Sequence, residues 1–298
     1  MTDSPLAQHP GPQASDPVLV VCVVYNPGDE LRDFGRSLAT ASRRQVELVV
    51  VNNGEPSTVA DEVAASLGGR VVSAGGNVGY GAAANAGART MRTPWLVVAN
   101  PDLVWEPGSL DVLLDAGEST PTAGSLGPCL LNTDGTVYAS ARAIPSLRQG
   151  AGHAVFGKVW PANPWSRDYH RAQADTTTDR RPAGWLSGAC LLLRRTAFDE
   201  VGGFDETYFM FFEDLDLGER LRDAGWLNLY VPQARVTHVQ GVSWKAKPEP
   251  MIRAHHASAR QYLLRRYDAW YQAPVRLAVR LGLTARQTLE VQQARRGS

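Results

Sequence analysis

The chain has 298 residues, of which 44% are hydrophobic and 20% are charged, and its formal net charge at pH 7 is zero. This composition is that of a soluble globular protein with one large domain or two small ones. A neutral chain has no overall field that attracts nucleic acid, so we expect no nucleic-acid partner. The three cysteines lack CxxC spacing, which favours a reducing compartment and argues against a thiolate metal site.

Residues 1–17 are polar and rich in proline, without the apolar core of a signal peptide, and we expect them to form a disordered tail. Beyond them, apolar runs alternate with amphipathic helical patterns. The predicted strands comprise residues 18–25, 46–51, 70–73 and 95–99. The alternation predicts an α/β fold with a mostly parallel sheet and helices on both faces. Ligands of such sheets bind beyond the carboxyl ends of the strands.

The pattern changes after the fourth strand. Residues 129–138 predict a hairpin around an Asp-Gly turn. Residues 144–181 lack periodicity, which is typical of a functional lid or a disordered segment. Two short strands are then predicted on either side of Pro232, at residues 227–231 and 234–239.

The C-terminal segment, from residue 251 onward, is helical and basic, with nine arginines against Asp268 and Glu290. Leucine, tyrosine and tryptophan are interleaved with the arginines. Such an amphipathic segment suits the surface of an anionic membrane. The alternative is a solvated helix packed on the domain. The apolar runs of the chain are all far shorter than the roughly 20 residues that span a bilayer.

Three carboxylates, Glu213, Asp214 and Asp216, directly follow the apolar residues 209–212. Apolar residues at helical spacing come next, and Gly225 is a suitable helix stop, so a helix is predicted to start at the carboxylates. An apolar wall raises the pKa of a carboxyl and suits a general base, although acids at a helix start also simply complement its positive end. Because Asp214 and Asp216 are about 200° apart on a helix, we expect one to face a cleft and the other to face water or a backbone amide.

Polar residues follow the predicted strands, and Asn26, Asn52, Asn77 and Asp102 are expected to meet at one pocket edge. A carboxylate at the tip of a buried strand is costly unless it is paired, and a divalent cation bound to a diphosphate is a natural partner of Asp102. The alternative is a turn or helix-capping aspartate. His238, in an apolar strand, is either a hydrogen-bonded core residue or a further metal ligand.

A glycine-rich turn at Gly79-Tyr80-Gly81 nearly matches a dinucleotide-binding fingerprint, with Asp102 at about the right distance after it. That fingerprint belongs after the first strand of its unit, whereas this turn follows the third. The turn still favours an anionic ligand, because the backbone can approach closely and a helix begins there.

These motifs form an ordered series that resembles the inverting family 2 glycosyltransferases and, among them, the bacterial rhamnosyltransferases, over residues 18 to about 242. The matching stretches are Tyr25-Asn26, Asn52-Asn53-Gly54, Gly76-Asn77 with Gly79-Tyr80-Gly81 and Asn85, Asn100-Pro101-Asp102, Ser187-Gly188, Asp205-Glu206 and Phe212-Glu213-Asp214-Leu215-Asp216. The resemblance implies a GT-A fold, a Rossmann-like nucleotide-diphospho-sugar transferase fold with a mixed, mostly parallel sheet flanked by helices. The catalytic domain would comprise residues 18–250, with a nucleotide-binding half at 18–102 and an acceptor half at 103–250, and residues 251–298 would form the basic helical extension.

The resemblance also implies residue roles. Asn52 stands where many relatives carry an aspartate that reads the nucleotide base, and Tyr25 and Asn77 would line the base and ribose pocket. The other residues implied in nucleotide-sugar binding are Asn26, Gly79, Asn85, Asn100 and Asp102.

The metal motif of the family is altered, because Asn100 replaces its first aspartate and Asp102 matches its last. A single carboxylate makes His238 a more plausible second protein ligand of Mg2+ or Mn2+. Asp214 matches the catalytic base, and Glu213 would orient it or contact the acceptor.

The implied reaction transfers L-rhamnose from dTDP-L-rhamnose to a polyprenyl-diphosphate-linked GlcNAc acceptor, as in building the linker of cell-wall arabinogalactan. The enzyme would be cytoplasmic and peripheral on the inner face of the cell membrane, and a homodimer is left open. The alternatives are another family 2 glycosyltransferase with a different sugar or a polysaccharide acceptor, an NAD-dependent oxidoreductase that uses the turn at Gly79, and a catalytically silent nucleotide-sugar-binding module.

Overall fold

The structure, a computed structural model, describes residues 16–144, 179–239 and 248–296. The strands are β1 Val18–Val24, β2 Val46–Asn52, β3 Arg70–Ser73, β4 Trp95–Ala99, β5 Leu103–Trp105, β6 Ala123–Leu131, β7 Val137–Tyr138, β8 Ala141–Arg142, β9 Arg181–Ala183, β10 Trp185–Leu186, β11 Cys190–Arg194 and β12 Leu227–His238. The helices are α1 Asp29–Ala41, α2 Thr58–Ser66, α3 Tyr80–Ala88, α4 Ser109–Ser119, α5 Arg195–Glu200, α6 Glu213–Asp223, α7 Pro248–Arg266 and α8 Ala273–Arg296. A short 3-10 helix, Trp270–Gln272, precedes α8.

The central sheet is mixed, with the strand order β3-β2-β1-β4-β11-β6-β12-β5 in the described part of the chain. The first four strands are parallel to one another. Strand β11 then runs antiparallel beside β4, with Cys190 opposite Ala99, and β5 closes the edge antiparallel to β12. The predicted sheet with flanking helices is confirmed.

Strand β1 shows why the sheet is covered on both faces. All seven of its residues are buried. Val20 and Cys22 pack with α1, α2 and α4, whereas Leu19 and Val21 pack with α3, α5 and α6. Because neither face meets water, the strand needs a continuous apolar run rather than alternation, which is what made it recognisable in the sequence.

The prediction of two short strands around Pro232 is wrong, because residues 227–238 form the single strand β12. Its register against β6 shifts between Val231 and Arg235. Proline cannot donate a ladder hydrogen bond, so an irregularity there lets β12 resume pairing beyond it.

The predicted hairpin is confirmed by the antiparallel pairing of β6 with β7. Residues 1–15 of the predicted tail, which ran to residue 17, and residues 145–178, most of the predicted lid, lie outside the described residues.

The C-terminal segment forms a helical hairpin. Helix α7 packs on the domain through Tyr262, which lies in a cluster with Tyr208 and Leu215. Helix α8 returns along α7, and Arg295 Nη2 lies 2.8 Å from Glu249 Oε1. Among the helices of the described ranges, we find none with the length and apolar character needed to cross a bilayer.

Candidate active site

The ends of β1 and β2 carry the residues predicted to line a nucleotide pocket. Asn52 closes its own turn, since its Nδ2 donates to the Glu55 carbonyl at 2.7 Å and its Oδ1 accepts from the Gly54 amide at 3.0 Å. Asn26 has a left-handed backbone with φ 50°, and its Oδ1 accepts from the Glu55 amide at 3.4 Å. The ring of Tyr25 is exposed beside them. Three of the predicted residues thus lie together around one turn.

Asn53, to which sequence reasoning gave no separate role, joins this turn to the glycine-rich one. Its buried Nδ2 donates to Asn77 Oδ1 at 3.2 Å and to the Gly79 carbonyl at 3.3 Å. Its Oδ1 accepts from the Val78 amide at 2.9 Å. Asn77 is therefore held next to the end of β2, as the predicted pocket edge requires.

Gly79 lies against the loop that precedes α6, and its predicted contact with the donor stays a prediction. Its φ is 93°, and an added Cβ would lie 2.3 Å from the Phe209 carbonyl oxygen, so both conformation and space require glycine. The next amide, of Tyr80, donates to that same carbonyl at 2.9 Å. The turn therefore also supports the loop that precedes α6.

Asn85 is buried in α3 and holds the loop of residues 204–206. Its Nδ2 donates to the Phe204 carbonyl at 2.8 Å and to Glu206 Oε1 at 3.0 Å, and its Oδ1 accepts from the Phe204 amide at 3.0 Å. These hydrogen bonds position the loop of residues 204–206. The contact of Asn85 with the donor stays a prediction.

Asp102 and His238 are brought together by the edge of the sheet, where His238 pairs with Leu103 and the Val239 amide donates to the Asp102 carbonyl at 2.9 Å. His238 Nε2 lies 3.2 Å from Asp102 Oδ1 and 3.5 Å from Asn100 Nδ2. Despite the short distance, Asp102 Oδ1 is buried without a hydrogen bond among the described residues, and so is His238 Nδ1.

Unsatisfied buried polar atoms are costly, and they mark a place where a ligand could complete the bonding. A carboxylate oxygen and an imidazole nitrogen are both suitable metal ligands, so the residues fit a divalent cation. In the described ranges, no cluster of three or more His, Cys, Asp or Glu side chains could hold a metal.

Asp214 lies at the start of α6, where both of its carboxylate oxygens accept hydrogen bonds from backbone amides. Its Oδ2 accepts from the Gly188 amide at 2.8 Å and its Oδ1 from the Leu215 amide at 2.8 Å. An added Cβ on Gly188 would lie 3.1 Å from Asp214 Cβ, so the glycine permits this close approach. Burial raises the pKa of Asp214, and the two backbone amides and Arg142 limit that rise. A carboxylate of raised pKa is a better proton acceptor.

Glu213, beside it, is buried, and its Oε2 has no hydrogen-bond partner in the described part of the chain. Burial, together with the charge of Asp214, raises the pKa of Glu213 to about 8. The pKa values of both carboxyls are raised, so burial favours holding a proton on the Glu213–Asp214 pair.

Asp216 corrects an expectation, since it faces neither water nor a backbone amide. Its side chain is 0% exposed, its Oδ2 accepts from Arg220 Nε at 2.7 Å, and its Oδ1 pairs with Arg265 of α7. A buried carboxylate needs such partners. Asp214 and Asp216 thus have different partners, whereas their separate roles stay a prediction.

The residues before α6 have an unusual backbone. Phe211 and Phe212 both lie in the left-handed region, with φ of 65° and 69°. For a residue with a bulky side chain this conformation costs about 1 kcal/mol or more. The tertiary structure must therefore hold this turn, which directs Glu213 and Asp214.

Two sets of contacts connect Asn100 and His238, at the predicted metal site, with Asp214. Through the backbone, the Asn100 amide donates to the Ala189 carbonyl at 2.9 Å, and the adjacent Gly188 binds Asp214. Through side chains, the ring centroid of His238 lies 5.9 Å from that of Tyr138, and the Arg142 guanidinium lies 5.6 Å from the same Tyr138 ring. Arg142 in turn acts on the charge of Asp214. Asp102 and Asp214 thus lie at the same end of the sheet.

Glu213 is expected to make the protein less stable as the pH rises. Its folded pKa, about 8, exceeds its ordinary value of 4.5. The stability that this group contributes is therefore complete below its unfolded pKa and is lost as the pH rises through the folded one. The Tm should fall between about pH 5 and pH 8.5, and Glu213→Gln should remove part of that fall. The exposed control is Glu55→Gln. If Tm falls equally with pH in the wild type, Glu213→Gln and this control, the raised pKa is not that of Glu213.

The fold is that of the GT-A glycosyltransferases. GalNAc-T7, solved with UDP, GalNAc and Mn2+, superposes with a TM-score of 0.60 at 15% identity, over 87% of this chain and 49% of that one. A mannosyltransferase from Pyrobaculum calidifontis, solved with GDP-Man and Mn2+, superposes with a TM-score of 0.57 at 14% identity, over 98% of this chain and 76% of that one. At these identities the likeness shows the fold alone.

The chain belongs to glycosyltransferase family 2, since the family model "Glycosyltransferase like family 2" matches residues 15–257. It is 43% identical to the N-acetylglucosaminyl-diphospho-decaprenol L-rhamnosyltransferase of Mycobacterium tuberculosis, over 95% of this chain and 96% of that protein. It is 26% identical to the rhamnosyltransferase WbbL of Escherichia coli, over 73% of this chain and 82% of that protein. The predicted family and its fold are confirmed, while the residue roles stay predictions.

Proposed function

We propose that the protein is an inverting rhamnosyltransferase that moves L-rhamnose from dTDP-L-rhamnose to GlcNAc linked through a diphosphate to a polyprenol. The observation that carries this proposal is the 43% identity to the mycobacterial rhamnosyltransferase over nearly the whole of both chains. That relative is named for its action on N-acetylglucosaminyl-diphospho-decaprenol. The corresponding product here would enter the arabinogalactan linker.

For the donor, we propose that Asp102 and His238 hold Mg2+ or Mn2+. The support is the buried Asp102 Oδ1, which has no hydrogen bond from any described residue, and the His238 imidazole 3.2 Å from it. When bound, such a cation neutralises charge on the diphosphate of the leaving nucleotide. Asn100 would contact the donor beside it. The base and ribose would lie against Tyr25, Asn52 and Asn77, and the exposed ring of Tyr25 offers a stacking surface.

For the acceptor, we propose that Asp214 is the general base. It takes the proton of the GlcNAc hydroxyl while the hydroxyl oxygen bonds to the anomeric carbon, and the bond from that carbon to the diphosphate breaks with the electron pair leaving on the nucleotide. A single displacement inverts the anomeric centre. The amides of Gly188 and Leu215 orient the carboxylate. Glu213, protonated, would donate to the acceptor.

A thermal-shift panel tests this proposal. It includes dTDP-rhamnose, dTDP-glucose, UDP-GlcNAc, GDP-mannose and NAD, each with and without Mg2+ or Mn2+. We expect the largest rise in Tm from dTDP-rhamnose with metal, because a ligand stabilises the state that binds it. Transfer to a short polyprenyl-diphosphate-GlcNAc should then give one anomer by NMR. A larger rise with another nucleotide sugar would overturn the donor, a rise with NAD alone would support an oxidoreductase, and binding without transfer would indicate a silent module.

The lipid-linked acceptor makes a membrane contact part of the proposal, and the surface formed by α8 and the short 3-10 helix before it suits such a contact. Trp270, Leu277 and Leu281 are 85%, 59% and 63% exposed. Several arginines of the hairpin are paired with acids within the protein, namely Arg253, Arg265, Arg266, Arg286 and Arg295. Arg280 has no acidic partner among the described residues and lies between Leu277 and Leu281 in sequence. An apolar face with such cations suits an anionic bilayer.

The double variant Leu277→Asn/Leu281→Asn is expected to bind anionic vesicles at least about tenfold more weakly than the wild type, because two apolar side chains would no longer enter the bilayer. Vesicle flotation measures this, with Leu227→Asn, at an exposed leucine of β12, as the matched control. Unchanged binding would contradict the membrane contact. A concentration-dependent dimer, lost in the double variant, would instead assign the face to a second copy.

A further inference from the structure

We infer that α7 positions the turn of residues 209–212, which directly precedes α6. Ser258, His255 and Arg265 of α7 would act as positioning residues for Asp214. The inference rests on the proposed role of Asp214 as the base. It starts from the consecutive left-handed residues Phe211 and Phe212, with φ of 65° and 69°. Phenylalanine does not favour this conformation by itself. Contacts from outside the turn must therefore hold it.

Helix α7 supplies those contacts. Ser258, which is buried, donates through its Oγ to the Met210 carbonyl at 2.8 Å. The His255 ring lies 5.5 Å from the rings of both Phe211 and Phe212, measured between centroids. The ring of Phe212 also packs against Tyr262, at 5.7 Å. The carbonyl before the left-handed pair and both of its side chains thus contact one helix.

The same helix also fixes the first turn of α6. Arg265 pairs with the fully buried Asp216, and its Nη1 lies 2.9 Å from Asp205 Oδ2. Asp216 is two residues beyond Asp214 on α6. An ion pair on the far side of the helix from Asp214 resists rotation of the helix about its axis. Such a rotation would carry the Asp214 carboxylate away from the amide of Gly188.

On the opposite side, the turn contacts the glycine-rich loop, where the Tyr80 amide donates to the Phe209 carbonyl. The turn is therefore held between that loop and α7. Among the described residues, no hydrogen bond, ion pair or ring contact joins Asp214 or Glu213 to α7, so the helix acts through the turn. Within the described ranges, Asn52 and Asn77 of the proposed base and ribose pocket have no such contact with α7 either. Loosening α7 should hence lower kcat more than donor affinity.

Ser258→Ala is the first test, because it deletes one hydrogen bond and adds no bulk. We expect kcat to fall between about 10- and 100-fold, since small misplacements of a reacting group have effects of this size. The donor KM should stay within about twofold, because the base and ribose pocket is not disturbed. Arg265→Ala should lower kcat further, and Arg265→Lys should restore part of the loss because it keeps the charge beside Asp216.

The pH profile of kcat gives a readout that a loss of folding stability would not change. Asp214 faces Glu213 on its own helix, Arg142 of β8 and Tyr80 of α3. Burial raises the pKa of Asp214. A loosened turn admits water, so the acid limb of the profile should move to lower pH in Ser258→Ala.

The matched control is Arg295→Ala, which removes the ion pair between α8 and Glu249 without touching the turn. Assays are run well below the lowest Tm, so all variants are folded. An unchanged kcat in Ser258→Ala and Arg265→Ala, or an equal loss in the control, would overturn the inference. An unshifted profile with a lower Tm would reduce α7 to structural support. Asp214→Asn separates the two proposals: if it keeps turnover, the base assignment fails, whereas if it is inactive and the α7 variants are normal, only the positioning role fails.

Discussion

Asp214→Asn is expected to lower kcat by about 10²- to 10⁴-fold, the usual range for loss of a general base. The amide cannot take up the proton of the acceptor hydroxyl. It can still accept a hydrogen bond from one of the two backbone amides that now hold the carboxylate, Gly188 and Leu215. The start of α6 should therefore keep its place, and donor binding should be nearly unchanged.

Single-turnover transfer and calorimetric titration of dTDP measure the two halves of this expectation. Asp223→Asn is the matched control, because it makes the same chemical change on the same helix at an exposed position. A variant at position 214 that transfers sugar at the wild-type rate would refute the base. A variant that also loses the nucleotide would mean that the substitution disturbs the whole site.

The second large effect is expected at Asp102. Asp102→Ala removes the only acid of the Asn100-Pro101-Asp102 motif and should abolish the dependence of dTDP binding on metal. Charge stabilisation of several kcal/mol corresponds to a loss of about 10²- to 10³-fold or more in kcat/KM. His238→Ala should weaken metal binding less, because imidazole supplies a ligand but no negative charge.

The apo protein offers a second readout at the same position. Within the part of the chain that the structure describes, Asp102 Oδ1 is buried and makes no hydrogen bond, with only His238 Nε2 nearby at 3.2 Å, so desolvation of this oxygen costs stability. The nearly isosteric Asp102→Asn removes a buried charge and should raise the Tm in the absence of metal. Nucleotide titrations with and without Mn2+ test the first expectation. An unchanged metal dependence in Asp102→Ala would contradict the site.

The parallel half of the fold was predictable because its strands are buried on both faces. Residues 18–25 and 95–99 are apolar at every position that the sheet covers, and the polar residue that follows each run marks the strand end. Strand β12 was not predictable in the same way. Pro232 indicates a break, but the pairing of β12 with β6 on both sides of the proline continues the strand.

The predicted site residues were found by their places at strand ends and at a helix start, whereas their partners depend on the fold. Nothing local indicates that Asp216 pairs with Arg265, 49 residues away. Nothing in the sequence of Phe211 and Phe212 indicates a left-handed backbone, because contacts with α7 impose it. Asn53 did carry a usable signal: successive residues at a strand end point in opposite directions, so Asn52 and Asn53 could not share one role.

We propose that Asp102, as a metal ligand, and Asp214, as the proton acceptor, face one cleft. A crystal structure of the Asp214→Asn variant with Mn2+ and dTDP-rhamnose, recorded at the manganese absorption edge, tests it most directly. We expect an anomalous peak bonded to the Asp102 carboxylate, with the anomeric carbon of the sugar between the metal-bound diphosphate and the side chain at position 214. A peak away from Asp102, or a sugar whose anomeric carbon faces away from position 214, would contradict it.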